Sequence, residues 1–289
     1  MKFGIIANPK SGSTNITRKA ATLQKAAGIL GRGTVVAGLD TASRQQFIEC
    51  AKDLAEKTDV VIVAGGDGTF SDIINAIPCD TTLSYMPLGS GCALRYALGL
   101  PPQLSRIARQ IRDGRLHHLD LILCDESVKA FMASVGLEAD IIHRRETLQA
   151  SGVHGSQAYA MATFGSFVAD LERTDMTITA DDRTFTISKA VTAIVTKIAY
   201  YGYHMKIVPD AVFDDRYLHL LAINSRWTEL VQCLATAFID GNKLGRHEKA
   251  RQIRIETPQE RHAQLDGNLY RQGRRFDFRV LPKALKMWY

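Results

Sequence analysis

The run Asp59-Val60-Val61-Ile62-Val63 leads directly into Ala64-Gly65-Gly66-Asp67-Gly68-Thr69, and a helix-like stretch, 70–77, follows. An apolar, β-branched run that ends in glycines and restarts as a helix fits a strand, turn and helix of an α/β domain, and little else. Glycines allow an anion to approach the backbone closely, at φ values a Cβ would forbid. The helix N-terminus behind them favours negative charge. A carboxylate such as Asp67 beside phosphates needs Mg²⁺ or a transferable proton to offset repulsion. On its own the turn reads better as a tight strand-to-helix connection with Asp67 as a capping residue.

The pattern repeats twice. Lys2 to Ala7 reads as a buried strand followed by Asn8-Pro9-Lys10-Ser11-Gly12-Ser13-Thr14 and a helix over about 16–30. Leu83 to Pro87 reads as another, followed by Leu88-Gly89-Ser90-Gly91-Cys92-Ala93 and the helix-like 94–98. In an open parallel sheet such loops share the carboxyl edge, where ligands bind, so the three are expected to converge. Neither the Gly-x-x-x-x-Gly-Lys-Ser/Thr nor the Gly-x-Gly-x-x-Gly fingerprint is present, and phosphates must be held in another way.

Beyond about Leu116 the pattern changes. Segments 119–123, 129–135, 176–180, 184–187, 190–199, 218–223, 252–256 and 276–280 read as strands, with helical stretches at 157–171 and 228–240. The 289 residues suffice for two domains. The expected division is an α/β domain over 1–120, joined by the final strands from about 275 to 289, and a β-rich domain over 121–274.

Five scattered cysteines without metal-ligand spacing point to small buried side chains in a reducing, cytoplasmic setting. Met1 adjoins a strand, which leaves no room for a signal peptide. A net charge of +6 favours acidic partners. Arg106, Arg109, Arg112 and Arg115 recur every third residue, and further clusters lie at 143–145, 246–254 and 271–275. Singly each reads as a solvated face; together they suit an anionic membrane surface. No nucleic-acid-binding motif accompanies them, so nucleic acid ranks behind a membrane. The oligomeric state stays open, a homodimer included.

The Asn8-Pro9-x-Ser11-Gly12 loop, the Gly65-Gly66-Asp67-Gly68-Thr69 turn and the Pro87-Leu88-Gly89-Ser90-Gly91 loop, in that order, resemble the catalytic domain of diacylglycerol and sphingosine kinases, in particular small soluble bacterial lipid kinases. The resemblance extends over Ala133 to Asp140, Val208 to Tyr217 and Leu265 to Asn268, almost the whole chain. It implies an α/β nucleotide-binding domain of NAD kinase and diacylglycerol kinase type, a β-sandwich-like C-terminal domain, and an active-site cleft between them. The implied activity is ATP- and Mg²⁺-dependent phosphorylation of a lipid hydroxyl, such as diacylglycerol or a sphingoid-type alcohol. A catalytically weak binder of nucleotide and anionic lipid is an alternative, as is a kinase for a soluble acceptor in the manner of NAD kinase.

By resemblance, Asn8, Ser11, Gly12, Gly65, Gly66, Gly68, Thr69, Gly89, Ser90 and Gly91 hold ATP, and Asp67 lies nearest the metal and the transferring phosphoryl group. Asp120 is a supporting carboxylate or, equally, a strand-end acceptor. Asp215, with the carbonyls of Val212 and Tyr217, is the expected ligand set of a second, structural Mg²⁺, against an ordinary Asp-rich turn. Two departures stand out. Relatives read Asp-Gly-Glu where this chain has Asp266-Gly267-Asn268, and the Glu is a proposed general base. An amide cannot take that proton; Asp67 or Asp266 could substitute. The third loop usually continues Asn-Asp-Phe and here continues Cys92-Ala93-Leu94, with Cys92 read as packing rather than as a nucleophile. The charge-free segment 151–167 would suit a wall for an acyl or isoprenoid chain, or a core helix. His154 and His204 receive no role.

Overall fold

Four apolar runs build a parallel sheet in the order β2-β1-β3-β4: β1 (Phe3–Ala7), β2 (Val35–Ala37), β3 (Val60–Gly65) and β4 (Thr82–Pro87). In register, Ile5 faces Ile62 and Val63 faces Tyr85. β1 and β3 are buried along their full length, as strands covered on both faces must be, which explains their unbroken hydrophobicity. The crossovers carry α1 (Ile16–Leu30), capped by the Asn15 side chain, and α2 (Arg44–Lys57), capped by Ser43. A Cβ on Gly4 would lie 2.7 Å from Leu54, so glycine there lets α2 press onto β1. α3 (Asp67–Ala76) and the short α4 (Ala93–Ala97) start from the second and third glycine loops. α5 (Leu104–Arg112) buries Ile107, Ala108 and Ile111 and exposes Arg106, Arg109 and Arg112 on its other side.

This computed structural model describes all residues except Ser13, Ser90, 152–171, Ser225 and Arg226. The described chain separates into two units, Met1–Asp120 with Tyr200–His204 and Pro282–Tyr289, and Leu121–Ala199 with Met205–Leu281. The helix expected at 157–171 and the apolar wall expected over 151–167 fall, apart from Ser151, outside the described residues.

The second unit is mainly antiparallel. After β5 (Leu116–Cys124) come β6 (Val128–Ala130), β7 (Met132–Gly136), α6 (Leu137–Ala150), β8 (Thr174–Ala180), β9 (Arg183–Ala190), β10 (Thr192–Thr196) and β11 (Leu218–Ile223). They are followed by α7 (Trp227–Ile239), β12 (Arg246–Ala250), β13 (Gln252–Leu265) and β14 (Asn268–Trp288). The order is β12-β11-β10-β7-β13-β14, with the β8–β9 hairpin paired to β13. Alternate residues of β8, Met176, Ile178 and Ala180, enter a core shared with Val195, Leu220, Ile255 and Phe278.

β14 serves both units in turn. Phe276, Phe278 and Val280 pack in the second unit's core, whereas Lys286 and Met287 pair in parallel with Thr82 and Leu83 of β4. The return to the first unit thus begins at Pro282 rather than near 275, because residues up to 280 are committed to the other core. The sequence reading contains no helix at α6, whose first residues lie within the 133–140 signature.

Candidate active site

Within the first unit, the loops after β1, β3 and β4 interlock. The Asn8 backbone N–H donates to the Ala64 carbonyl (3.1 Å), and its side-chain amide donates to Thr69 Oγ1 (2.9 Å). Ser11 Oγ shares a hydrogen bond of 3.1 Å with the same Thr69 hydroxyl. Leu88 N–H donates to the Gly65 carbonyl (2.9 Å), which binds the second loop to the third.

Glycines occupy the contact points for steric reasons. A Cβ on Gly12, at φ +71°, would lie 2.2 Å from the Leu88 carbonyl oxygen, and one on Gly89 would lie 3.0 Å from Gly66 Cα. A Cβ on Gly65 would strike the Thr69 side chain at 2.6 Å. Gly66 caps α3, and Gly68 and Thr69 lie in its first turn. The Gly91 carbonyl accepts from Tyr203 N–H (3.0 Å). Asn8, Ser11, Gly12, Gly65, Gly66, Gly68, Thr69, Gly89 and Gly91 are therefore brought together; Ser90 lies outside the described residues. Gly12→Ala is expected to weaken ATP binding at least tenfold, since the left-handed backbone alone costs a side chain about 1–2 kcal/mol before the clash is counted. Calorimetric titration beside a thermal melt separates that loss from unfolding.

Asp67 opens α3 and reaches across to the start of α4. One carboxylate oxygen accepts Ala93 N–H (2.7 Å) and the other accepts Leu94 N–H (3.1 Å). Burial pushes its pKa up to about 6, against the pull of those two backbone donors. A group poised near neutrality can both take and release a proton at working pH. The Asn-Asp pair of relatives is replaced here by residues whose backbone N–H groups, not side chains, meet Asp67. Cys92, at φ +33°, donates its thiol to the Gly89 carbonyl, and burial pushes its pKa up to about 11. It is protonated at neutral pH, as a packing thiol should be.

The donor set fits Mg²⁺ carried on a nucleotide. Such ions keep several waters and bind through one or two carboxylates plus substrate phosphates, not through an all-protein cage. Asp67 supplies one carboxylate, and the described residues contain no cluster of three or more His, Cys, Asp or Glu able to enclose an ion.

Two features escape the sequence reading. Lys19, 3% exposed on α1, turns its ammonium under the first loop and donates to the carbonyls of Asn8 (3.3 Å), Pro9 (2.7 Å) and Ser11 (2.7 Å). Burial lowers its pKa. The three loop carbonyls are drawn inward, and the Lys10 and Ser11 N–H groups donate back to Asn8, so the loop is closed on itself around this ammonium. Beside this loop lies a cavity of about 190 Å³, lined by Asn8, Lys10, Thr41, Ser43, Arg44 and Asp72 among others. Arg44 pairs with Asp72 at 2.7 Å across it.

Three expected carboxylates behave otherwise. Asp120, 1% exposed within β5, accepts Lys283 N–H (2.9 Å), which fits its alternative role as a strand acceptor. Asp266 is wholly buried at the β13–β14 turn, where one oxygen accepts the N–H groups of Phe131 (3.0 Å) and Met132 (2.8 Å). This geometry makes it an anchor of the hairpin and corrects the catalytic role expected of it. Asn268 stands exposed just beyond. Asp215 and Tyr217 do not present a Mg²⁺ site, because the Lys197 ammonium occupies both oxygens, donating to Asp215 Oδ1 (2.7 Å) and the Tyr217 carbonyl (2.6 Å). Val212, the third expected ligand, lies on an exposed part of the preceding loop.

Residues 2–124 match the diacylglycerol kinase catalytic domain, and residues 132–289 match the YegS C-terminal NAD kinase beta sandwich-like domain. A diacylglycerol kinase of Staphylococcus saprophyticus is 26% identical over 178 residues, 61% of this chain and 57% of that protein. One from Staphylococcus aureus is 24% identical over 232 residues, 76% of this chain and 71% of that protein. The chain spans little more than half the length of several curated relatives, 57% and 55% in two staphylococcal cases. A diacylglycerol kinase structure from Bacillus anthracis str. Sterne matches with a TM-score of 0.78 at 19% identity, covering 100% of this chain and 96% of that one. An NAD kinase from Archaeoglobus fulgidus in complex with ATP matches at 0.52 and 10% identity, covering 100% and 93%. At such identities these two likenesses speak for the fold alone.

Proposed function

Since this chain belongs to the family that joins a diacylglycerol kinase catalytic domain to a YegS-type C-terminal NAD kinase β-sandwich-like domain, we propose that it is an ATP- and Mg²⁺-dependent lipid kinase. Its acceptor would be the hydroxyl of diacylglycerol or of a sphingoid-type alcohol, met at a membrane surface from the cytoplasmic side. The observation that carries this reading is the interlocked set of three glycine loops around Asp67.

In this reading the α3 N-terminus and the second loop bind the phosphates, with the first loop beside them. Lys19 keeps the first loop in shape, its carbonyls turned away from that site. Bound Mg²⁺ would offset phosphate charge during transfer, with Asp67 the carboxylate placed to hold it. Asp67 is also a carboxylate raised toward neutrality, which suits taking the acceptor hydroxyl's proton, a role closed to the Asn268 amide and to the wholly buried Asp266. The cavity beside Thr41, Ser43 and Arg44 is of a size and polarity to receive part of a nucleotide. Among the described residues no helix is long and apolar enough to cross a membrane. The exposed arginines of α5 support attraction to anionic lipid.

The replacement of two polar positions by Ala93 and Asn268 favours a second reading, a relative that binds nucleotide and lipid but transfers phosphate poorly. Terminal-phosphate label from ATP, Mg²⁺ and a total lipid extract decide between them. Labelled organic-extractable product is expected, and its chromatography names the acceptor. Label confined to water-soluble product would indicate a soluble acceptor, and nucleotide binding without any transfer would indicate the binder.

A further inference from the structure

Lys197 follows β10 in the second unit, and its side chain is 0% exposed. Its ammonium joins two parts of one loop, Asp215 Oδ1 at 2.7 Å and the Tyr217 carbonyl at 2.6 Å, while its own N–H donates to the Phe131 carbonyl. Asp215 is fully engaged. Tyr217 N–H donates to Oδ1 (3.1 Å), and His219 Nε2 and Lys249 Nζ each reach Oδ2 at 2.8 Å. A carboxylate offers about four lone-pair directions, and these four donors account for them. Burial would push the Asp215 carboxyl up, but the hydrogen bonds from Lys197, Lys249 and Tyr217 N–H outweigh it and hold the group well below the usual range. The centre therefore has the construction of a cation site: one ionised carboxylate and a backbone carbonyl converge on a single buried positive charge. A divalent ion entering it would find its oxygens taken and two ammonium groups repelling it.

We propose that Lys197 is a built-in cation standing where a divalent metal could tie this loop to the end of β10, and that removing its ammonium converts the loop into a divalent-cation site. The N···O distances of 2.6 and 2.7 Å lie closer to calcium–oxygen than to magnesium–oxygen bond lengths, about 2.3–2.6 and 2.0–2.1 Å. Ca²⁺ therefore needs less movement of the oxygens than Mg²⁺ and should bind the altered site better. The inference concerns a loop of the second unit and does not depend on the lipid kinase reading.

Thermal unfolding of the full chain tests it in chelator, in millimolar Ca²⁺ and in millimolar Mg²⁺. Lys197→Ala is expected to melt roughly 5–10 °C below wild type in chelator, the scale for breaking a buried pair in a chain of this size. Ca²⁺ should restore at least half of that loss, Mg²⁺ less, and neither should act once Asp215→Asn is added. If Lys197→Ala does not fold in chelator, its refolding yield with Ca²⁺ is the same readout. A variant indifferent to both ions would overturn the proposal. So would equilibrium dialysis in which wild type takes up an equivalent of Ca²⁺ or Mg²⁺ that Asp215→Asn does not, a result independent of how Lys197→Ala folds.

Discussion

Asp67→Asn is expected to lower phosphoryl transfer at least a hundredfold while leaving nucleotide binding in place. A positioned base is typically worth about 10²–10⁴ in rate, and an amide cannot accept the proton. The glycine loops that would hold phosphates are untouched, so the Kd for ATP measured without Mg²⁺ should change little. The same substitution should also remove a pH dependence from the stability of the fold. Asp67 carries a pKa raised to about 6 from an ordinary 3.8. Between those values the folded state binds more protons than the unfolded one, so stability from the neutral form is present below about pH 4 and is lost as pH rises through about 6. Asn has no charge to bury, but its NH2 group faces one of the two backbone N–H donors and loses that hydrogen bond, so what should change is the pH dependence: relative to wild type the variant should gain roughly 1–2 kcal/mol between pH 5 and pH 7.5. Denaturant unfolding at the two pH values checks this. An activity profile whose acid limb lies near pH 6 would carry the same signature in the wild type. Equal stability of the two proteins at both pH values would contradict the buried, proton-hungry carboxylate.

Lys19→Met is expected to have the second large effect. Methionine fills much the same space, but it leaves the carbonyls of Asn8, Pro9 and Ser11 without the ammonium that gathers them. Unsatisfied acceptors and lost charged hydrogen bonds put the cost at roughly 2–5 kcal/mol. The consequence beyond stability is local, because the first loop is then free to turn its carbonyls toward bound phosphate. ATP affinity should fall at least tenfold at a temperature where the variant is still folded. If affinity and melting temperature are both unchanged, the loop is held by its neighbours and Lys19 does not position it.

The three glycine loops were legible in the sequence because each joins two strong local signals, a continuous apolar strand and glycines before a helix. Their convergence followed from the geometry of a parallel sheet, and the contacts of Gly12 with Leu88 and Asn8 with Thr69 realise it. Lys19 was illegible for a physical reason. A lysine on an amphipathic helix is ordinarily solvated, and only the path of the first loop brings carbonyls to its ammonium. Lys197 did carry a signal, as the one charged residue inside the largely apolar run 190–199. A lysine there must find buried acceptors from elsewhere in the chain. Of the three oxygens expected around Asp215, those of Asp215 and Tyr217 meet the Lys197 ammonium and that of Val212 does not, and local spacing cannot reveal a side chain arriving from 18 residues earlier. Asp266 misled in the same way: its turn was readable, but not the Phe131 and Met132 N–H groups, some 135 residues away, that claim its carboxylate.

The loops around Asp67 are expected to bind the phosphates of ATP. Calorimetric titration of Mg·ATP into the wild-type chain tests it most directly, with Gly12→Ala as the matched variant. Saturable binding of one equivalent to wild type, at least tenfold weaker in a folded Gly12→Ala protein, is the result the account predicts. A folded wild-type chain that binds no ATP, or binds it equally with Gly12 replaced, would contradict it.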